Sequence, residues 1–439
     1  MKKIVGIIAA LAMVAGVAFA DDPSVVPSLV EFKGSADFGW KADLDNETHG
    51  MYNNNSASLK ITFVPKEVKK ATAGDPLWGE IEIQTNAEGH ELVNKPVVVP
   101  TAKVNKAKIH FVDGDFFVHL DILGPKLALD GLKGPLAVET EKAFGTQEAG
   151  DKAGTPNGFT INFGVPVVSF NVSFADNGED ATPAWKDAAD KKNYSFLADA
   201  TIKPIDGLAV YAGIAMSTTE GKDKLAFGAN AKYTFAIDDT LSLIPAVAFH
   251  AYDFKGQKLG ASLLFKWGPD GKEPKFLGLT PTLYKDYMSI GDKCTSGASV
   301  FFTKTLDADD DDGLFGFAVY DNTLTSLIGE DAGDLSLAAK YTAATSDFGK
   351  GVLGLAAAYS NTFLKDSDLP LGFSAKVSFG LALAEDDDKT AVAYELGLTQ
   401  KTLIEFTELY LKYSGSQSKL AGAANAKKGA IDIGCKISL

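Results

Sequence analysis

Polar and apolar residues alternate along residues 32–44. Phe32, Ala36, Phe38, Trp40, Ala42 and Leu44, with Gly34 among them, share one parity. Lys33, Ser35, Asp37, Gly39, Lys41 and Asp43 share the other. Successive side chains of a strand point to opposite faces, so the stretch predicts a strand with one apolar and one charged face. In a soluble sandwich the apolar face would meet a second sheet. In a membrane barrel it would meet lipid, and the charged face would meet a water-filled lumen.

The same period recurs almost to the end of the chain. Ala57, Leu59, Ile61 and Phe63 alternate with Ser56, Ser58, Lys60 and Thr62, and Ile81 and Ile83 sit between Glu80, Glu82 and Gln84. Ala107, Ile109 and Phe111 alternate with Lys106, Lys108 and His110. Beyond the Asp113-Gly114-Asp115 turn, Phe116, Val118, Leu120 and Ile122 oppose Asp115, His119 and Asp121. Further on, Val168, Phe170, Val172 and Phe174 oppose Ser169, Asn171 and Ser173, and the run 224–235 sets Leu225, Phe227, Ala229 and Ala231 against Gly228, Asn230 and Lys232. In the run 371–383, Phe373, Ala375, Val377 and Phe379 face away from Ser374, Lys376 and Ser378. In the last run, 429–439, Ile431, Ile433, Cys435, Ile437 and Leu439 alternate with Asp432, Gly434, Lys436 and Ser438. Other runs are predicted at 159–163, 194–203, 208–217, 241–252, 258–267, 276–285, 295–303, 314–320, 335–341, 352–359, 390–399 and 405–414.

Most runs are about 9–12 residues, long enough to cross an outer membrane when tilted, whereas strands of soluble sheets are typically about half that. The runs add up to an odd number, and bacterial single-chain barrels have an even one, so one short or split run within 64–104 or 384–428 is expected not to be a strand. The predicted fold is all-β: a large up-and-down antiparallel transmembrane β-barrel of about 20 strands, within a range of roughly 16–22. Its expected pore lining is the polar parity: Lys33, Asp37, Lys41, Asp43, Lys60, Glu80, Glu82, His110, His119, Asp121, Asn171, Asn230, Lys232, Lys376 and Asp432. Compact turns near Asp206, Asp238, Asp270, Asp309, Asp347 and Asp386 recur every 32 to 39 residues, two strands and one longer loop apart. They are expected to share the periplasmic rim, and the longer connections 124–156, 175–193 and 321–334 the other. Closure requires the first strand to pair with the last.

The first residues change the compartment. Lys2 and Lys3 precede an apolar run that ends in Ala18-Phe19-Ala20, which predicts a secretory signal peptide over residues 1–20, cleaved after Ala20. Its removal leaves 419 residues and takes the formal charge from −15 to −17. No later segment approaches 18 continuous apolar residues, so no transmembrane helix is predicted. The expected location is the outer membrane, with its lipid as partner. Every cationic residue is a lysine, and an acidic chain without arginine does not suit nucleic acid. Two cysteines, Cys294 and Cys435, make no disulfide scaffold, and Cys435 on the lipid parity argues against a bridge between them.

No catalytic constellation emerges, and no cofactor is implied. His49, His90, His110, His119 and His250 show no HExxH and no i, i+4 pair, although His110 and His119 share the polar face of adjacent strands. No serine sits in GxSxG. The acidic run from Asp307 to Asp312 places Asp312 and Ala318 where a calcium loop needs Gly and an acid, so it reads as a solvated turn, as does Glu385-Asp386-Asp387-Asp388. The longest connection, 124–156, carries Leu127, Leu129, Leu132, Leu136 and Val138. Three readings of it stay open: a constriction folded into the lumen, an extra hairpin, or an exposed binding loop.

Residues 34–45 (GSADFGWKADLD), Thr48-His49-Gly50, the run 56–63 and the closing Gly434-Cys435-Lys436-Ile437-Ser438 resemble the treponemal major outer sheath protein family and its related repeat-family surface proteins. That resemblance implies an abundant outer-membrane porin, often a trimeric homo-oligomer, that is also a surface antigen and an adhesin for host extracellular-matrix proteins. It further implies two regions of major outer sheath protein type, 21–200 and 201–439, the first described as periplasmic and the second as barrel. The alternation at 32–63 is as regular as at 371–383 and speaks against that division. No catalytic, cofactor or metal residues carry over.

The leading function is passive diffusion of small hydrophilic solutes, with a cation preference expected from the excess of acid. The alternative is a surface adhesin that binds host proteins through external loops, with an N-terminal periplasmic region and a C-terminal barrel. An outer-membrane enzyme lacks a site, and a soluble secreted β-protein is the remaining structural alternative.

Overall fold

The computed structural model describes residues 25–65, 78–86, 90–91, 101–112, 115–122, 126, 129, 157–176, 194–219, 222–252, 255–271, 294–306, 313–324, 332–367, 369–383, 389–401, 406–419 and 426–438. The alternating runs form strands. The first group is β1 (Val25–Asp43), β2 (Thr48–Pro65), β3 (Trp78–Asn86), β4 (His90–Glu91), β5 (Thr101–Val112) and β6 (Phe117–Asp121). Then come β7 (Asn157–Val165), β8 (Val168–Asp176), β9 (Tyr194–Ile202), β10 (Leu208–Thr219), β11 (Lys222–Tyr233) and β12 (Phe235–Ala236). The series continues with β13 (Ser242–Tyr252), β14 (Lys255–Gly271), β15 (Cys294–Thr305), β16 (Leu314–Asp321) and β17 (Asp334–Ala344). It closes with β18 (Val352–Phe363), β19 (Leu371–Ala382), β20 (Lys389–Gln400), β21 (Thr407–Ser418) and β22 (Ala426–Ser438).

Two of these segments only extend a neighbour. β4 pairs with β2 beside β3, and β12 pairs with β13 beside β11. The others form 20 staves, each antiparallel to the next in sequence. β22 returns to β1 over nine residue pairs, from Ser35↔Ser438 to Asp43↔Ala430. The sheet is a closed up-and-down barrel, and both sequence regions, before and after residue 200, supply staves to it. No helix among the described residues is long and apolar enough to cross a membrane.

The predicted strand at 276–285 is the surplus one. β14 and β15 pair directly with each other, so no stave stands between them, and residues 276–285 lie outside those described. The surplus was expected in 64–104 or 384–428, where the strands do pair in sequence order. One false strand reverses the up-or-down sense of everything after it, so the predicted division of the rims fails. The strand ends that flank Asp206, Asp238 and Asp270 share one rim, whereas those that flank 307–312, Asp347 and 384–388 share the opposite one. The strand ends that flank 124–156 and 175–193 lie on the rim of Asp347, and those that flank 321–334 on the rim of Asp206.

Register assigns every strand's two parities to two continuous faces. The outer face carries exposed large apolar side chains all round the ring, among them Phe38, Phe170, Ile214, Val247, Val300, Leu355, Val377 and Ile433. Aromatic pairs stack across neighbouring strands on this face, with ring centroids of Phe163 and Phe170 at 5.2 Å and of Phe159 and Phe174 at 6.2 Å. Cys435, opposite Phe38, belongs to this face and is a free cysteine.

The turns explain themselves locally. In the connection between β12 and β13, Asp238 Oδ1 accepts from Thr240 N at 2.7 Å, Thr240 Oγ1 at 2.9 Å and Leu241 N at 2.7 Å. Those donors favour the carboxylate and hold Asp238 below the ordinary value of 3.8, so this support is complete at neutral pH and fades only as pH falls through the lowered value.

The seam between β1 and β22 is covered from inside. Tyr52, Gly39, Gly434 and Tyr410 stand in one row across β2, β1, β22 and β21. With no side chain on either glycine, the two tyrosines lean over the seam and their hydroxyls meet. Tyr52 donates to Asp432 at 2.7 Å, and Tyr410 donates to Asp37 at 2.6 Å. A methyl group on Gly434 would run into the Tyr410 ring, and one on Gly39 would lie 2.7 Å from the Tyr52 hydroxyl. At the rim, Leu44 N donates to Gly429 O at 2.9 Å, and Asp45 accepts from the backbone amides of Lys428 and Gly429 at 2.9 and 3.0 Å. Gly434→Ala is expected to lower stability by about 1–3 kcal/mol through overpacking. Tyr410→Phe, which deletes a hydroxyl and its bonds, should cost about 1 kcal/mol. The urea midpoint of unfolding from detergent micelles, followed by tryptophan fluorescence, measures both.

Candidate functional site

The concave face of the ring is the chemically varied one. Contacts that skip over intervening staves, such as Tyr52 to Tyr410, identify it as the inside. Register places all fifteen predicted lining residues on it. Lys33 stands opposite Ser58, Asp37 lies beside Lys436, Lys41 beside Asp432, and Asp43 beside Ala430. Lys60 pairs with Glu82, and its ammonium reaches Glu80 at 3.0 Å. Lys108, on the same face, stands between Glu80 and Asp121. His110 pairs with His119, which faces Asn162, and Asn162 in turn faces Asn171. Asn230 and Lys232 stand opposite Tyr211 and Ala209. Lys376 bonds Glu395 at 2.6 Å. Opposite charges directly across a strand pair stabilise the sheet, so this alternation also favours the observed register.

The sequence reading missed the residues that tie the wall to the longest connection. Lys126, just after β6, donates its backbone amide to Thr160 Oγ1 on β7 at 2.8 Å and sets its ammonium 2.7 Å from Asp199 on β9. The Asp199 side chain is fully buried; it also accepts from Asn171 at 2.7 Å and from the Tyr211 hydroxyl at 3.2 Å. The Lys126 ammonium lies over the Tyr211 ring, 5.7 Å from its centroid. Leu129 is buried against Leu197, Tyr211, Ala215 and Ala226. It sits over the adjacent glycines Gly213 and Gly228, which pair across β10 and β11; a methyl on Gly213 would lie 2.7 Å from it. Lys126 and Leu129 seat on the inner wall; the rest of 124–156, on which its three readings turn, lies outside the described residues. Nothing in the local pattern around Asp199, Tyr211 or Lys126 announces a partner so far along the chain.

One arc departs from the predicted polar lining. On β13 to β18, Ile244, Leu264, Phe301, Ala318, Tyr320, Ala338 and Ala356 lie on the inner face, each more than nine-tenths buried. Apolar residues stand on both parities of these strands, with Lys258, Lys266, Ser299 and Lys340 interspersed on the inner one, so alternation there marks a strand more clearly than it marks which side is polar.

His110 and His119 do meet, with ring centroids 4.1 Å apart, and Phe117 lies 5.1 Å from His119. Among the described residues no three His, Cys, Asp or Glu side chains are grouped to hold a metal ion. The acidic runs 307–312 and 385–388 fall outside the described residues.

No family model matches the chain. Over 87 residues it is 38% identical to the major surface protein MspTL of Treponema lecithinolyticum, covering 20% of this chain and 14% of that protein. Over 129 residues it is 30% identical to the major outer membrane protein MspA of Treponema maltophilum, covering 26% of this chain and 22% of that protein. Treponemal major surface proteins are relatives of this chain. The similarity spans 14% and 22% of their length. Solved structures with some likeness include OccAB4 of Acinetobacter baumannii, at 11% identity and a TM-score of 0.41 over 94% of this chain and 98% of that one. Another is OprD of Pseudomonas aeruginosa, at 9% identity and a TM-score of 0.37 over 93% and 95%. At those scores the fold rests on this chain's own strand pairing.

Asp199→Ala would strand the Lys126 ammonium on a largely buried wall. The expected cost is about 3 kcal/mol, somewhat less if water reaches the ammonium. The urea midpoint reads it, and Asp121→Ala, on a half-buried carboxylate of the same face, should cost under about 1 kcal/mol.

Proposed function

We propose that this chain is an outer-membrane porin, passing small hydrophilic solutes by diffusion through the lumen of its barrel. The observation that carries the reading is the segregation of the two faces of a closed ring of 20 staves. Apolar side chains point outward, and lysines, carboxylates, amides and hydroxyls point inward over much of the circumference. Inside hydrocarbon every backbone donor and acceptor must be paired within the protein, and a closed sheet meets that demand without an edge. Transport of this kind needs no reacting group, only a radius and a field. The inward start of the longest connection, held by Lys126 and Leu129, would narrow the passage. The names of the two treponemal relatives, a major surface protein and a major outer membrane protein, support an outer-membrane location and surface display. The alternative with a periplasmic N-terminal region is disfavoured because the staves up to β9 would leave the ring, opening two unpaired edges.

Purified protein added to planar lipid bilayers should give discrete stepwise conductance increments. Folded protein that inserts without conducting would contradict the reading. Lys126→Ala combined with Leu129→Ala, which loosens the inward connection, should raise the size of each step.

A further inference from the structure

The two rims of the barrel differ in how their outward face ends. On the rim of Asp206, among the described residues, six connections carry an exposed large apolar side chain. These are Phe116 after β5, Val167 after β7, Ile205 after β9, Ile237 after β12, Leu364 and Leu369 after β18, and Phe406 before β21. Ile205 is 59% exposed, Ile237 61%, Leu364 66% and Phe406 60%. Outward residues at or next to the ends of the adjoining strands, Val112, Val165, Ile202, Phe235, Phe363 and Leu409, are exposed and apolar as well. At these six places the apolar belt therefore runs on to the tip. Asp321, Gln400 and Thr407 also stand on the outward parity at this end, and none of the three is exposed. The start of the connection after β16, Asn322 to Leu324, is half-buried. The opposite rim ends in polar groups. His49, Lys304 and Gln417 stand exposed at the ends of the outward parity there, with Thr390 half-buried beside them. Ile122, Leu306 and Phe348 are exposed on that rim too, scattered among those polar ends.

Single exposed apolar residues are ordinary on a protein surface, but a band of them at one end of a barrel is not. Connections two staves apart lie about 10 Å from one another round a rim, so the four from Phe116 to Ile237 form one band. Charged neighbours set its depth. Lys203, Asp206, Asp238, Asp239, Lys365 and Asp366 lie exposed in the same connections and are costly to bring into hydrocarbon. An apolar side chain beside a charge fits the boundary between headgroups and acyl chains, where each finds its own solvent. We infer that this rim is a lipid-binding surface, its connections seated among the headgroups, while the opposite rim stands clear in water. Membrane lipid is the occupant because the band continues the outer apolar face of the barrel. The inference rests on the porin reading, which has that face in lipid.

The test is fluorescence quenching in phosphatidylcholine vesicles that hold the full chain. Cys294→Ser/Cys435→Ser supplies a cysteine-free background. Ile205→Cys, Ile237→Cys, Leu369→Cys and, on the polar rim, Asn46→Cys are introduced singly and labelled with a nitrobenzoxadiazole dye. Lipid carrying a nitroxide near the top of its acyl chain should quench the first three labels several-fold more than the label at Asn46. Iodide, present on both sides of the membrane, should quench the label at Asn46 several-fold more than the others. Iodide reaching all four labels equally, on protein that conducts, overturns the inference and leaves the porin reading standing. A rim whose natural occupant is a partner protein would give that same result. Protein that neither inserts nor conducts overturns both.

Discussion

Closure of β1 on β22 is the constraint on which the rest depends. A sheet of this size in hydrocarbon has nowhere to put an unpaired edge, because each unsatisfied amide or carbonyl there costs several kcal/mol. The nine residue pairs from Ser35↔Ser438 to Asp43↔Ala430 remove both edges at once. They also fix the register of every other stave, since a slip of one residue would exchange the lipid face for the lumen face all round the ring. The row Tyr52–Gly39–Gly434–Tyr410 guards this register: two glycines leave room, and two tyrosines from the next strands out fill it and bond the carboxylates of Asp37 and Asp432.

The same device recurs at the longest connection. Gly213 and Gly228, paired on β10 and β11, leave a shallow seat that Leu129 occupies, while Lys126 bonds the buried carboxylate of Asp199. In both places absent side chains on two neighbouring strands create the space, and a buried or half-buried acid on the wall supplies the specific bond. A barrel interior of otherwise similar polar side chains thereby gains two points of definite structure.

Much of this was legible in the sequence, and the remainder was not for identifiable reasons. Period-two alternation at 32–44, 56–63 and 371–383 marked strands and assigned Lys33, Asp37, Lys60 and Lys376 to one face, as the register does. Residues 276–285 alternate as well as a stave does, but pairing is a relation between strands, and β14 with β15 closes over that position. The rim assignment then failed from Asp309 onward through parity alone. On β13 to β18 the apolar inner residues escaped because Leu243, Ile244, Leu263, Leu264 and Phe265 offer no polar side to choose. Tyr52 and Tyr410, which meet over the seam, are 358 positions apart and carry no local signal.

The central claim, a closed ring with β1 on β22 in this register, is tested most directly by a cross-link at the seam. Phe38 stands directly opposite Cys435 on the outer face. Paired residues of an antiparallel ladder lie about 4.5–5.5 Å apart between Cα atoms, within the span of a disulfide. Phe38→Cys in a Cys294→Ser background, folded in detergent micelles and treated with a mild oxidant, should form an intramolecular disulfide with Cys435. The looped chain would run faster on denaturing gels until reduced. Failure of that bond to form in folded protein, with both thiols accessible to alkylation, would contradict the closed barrel.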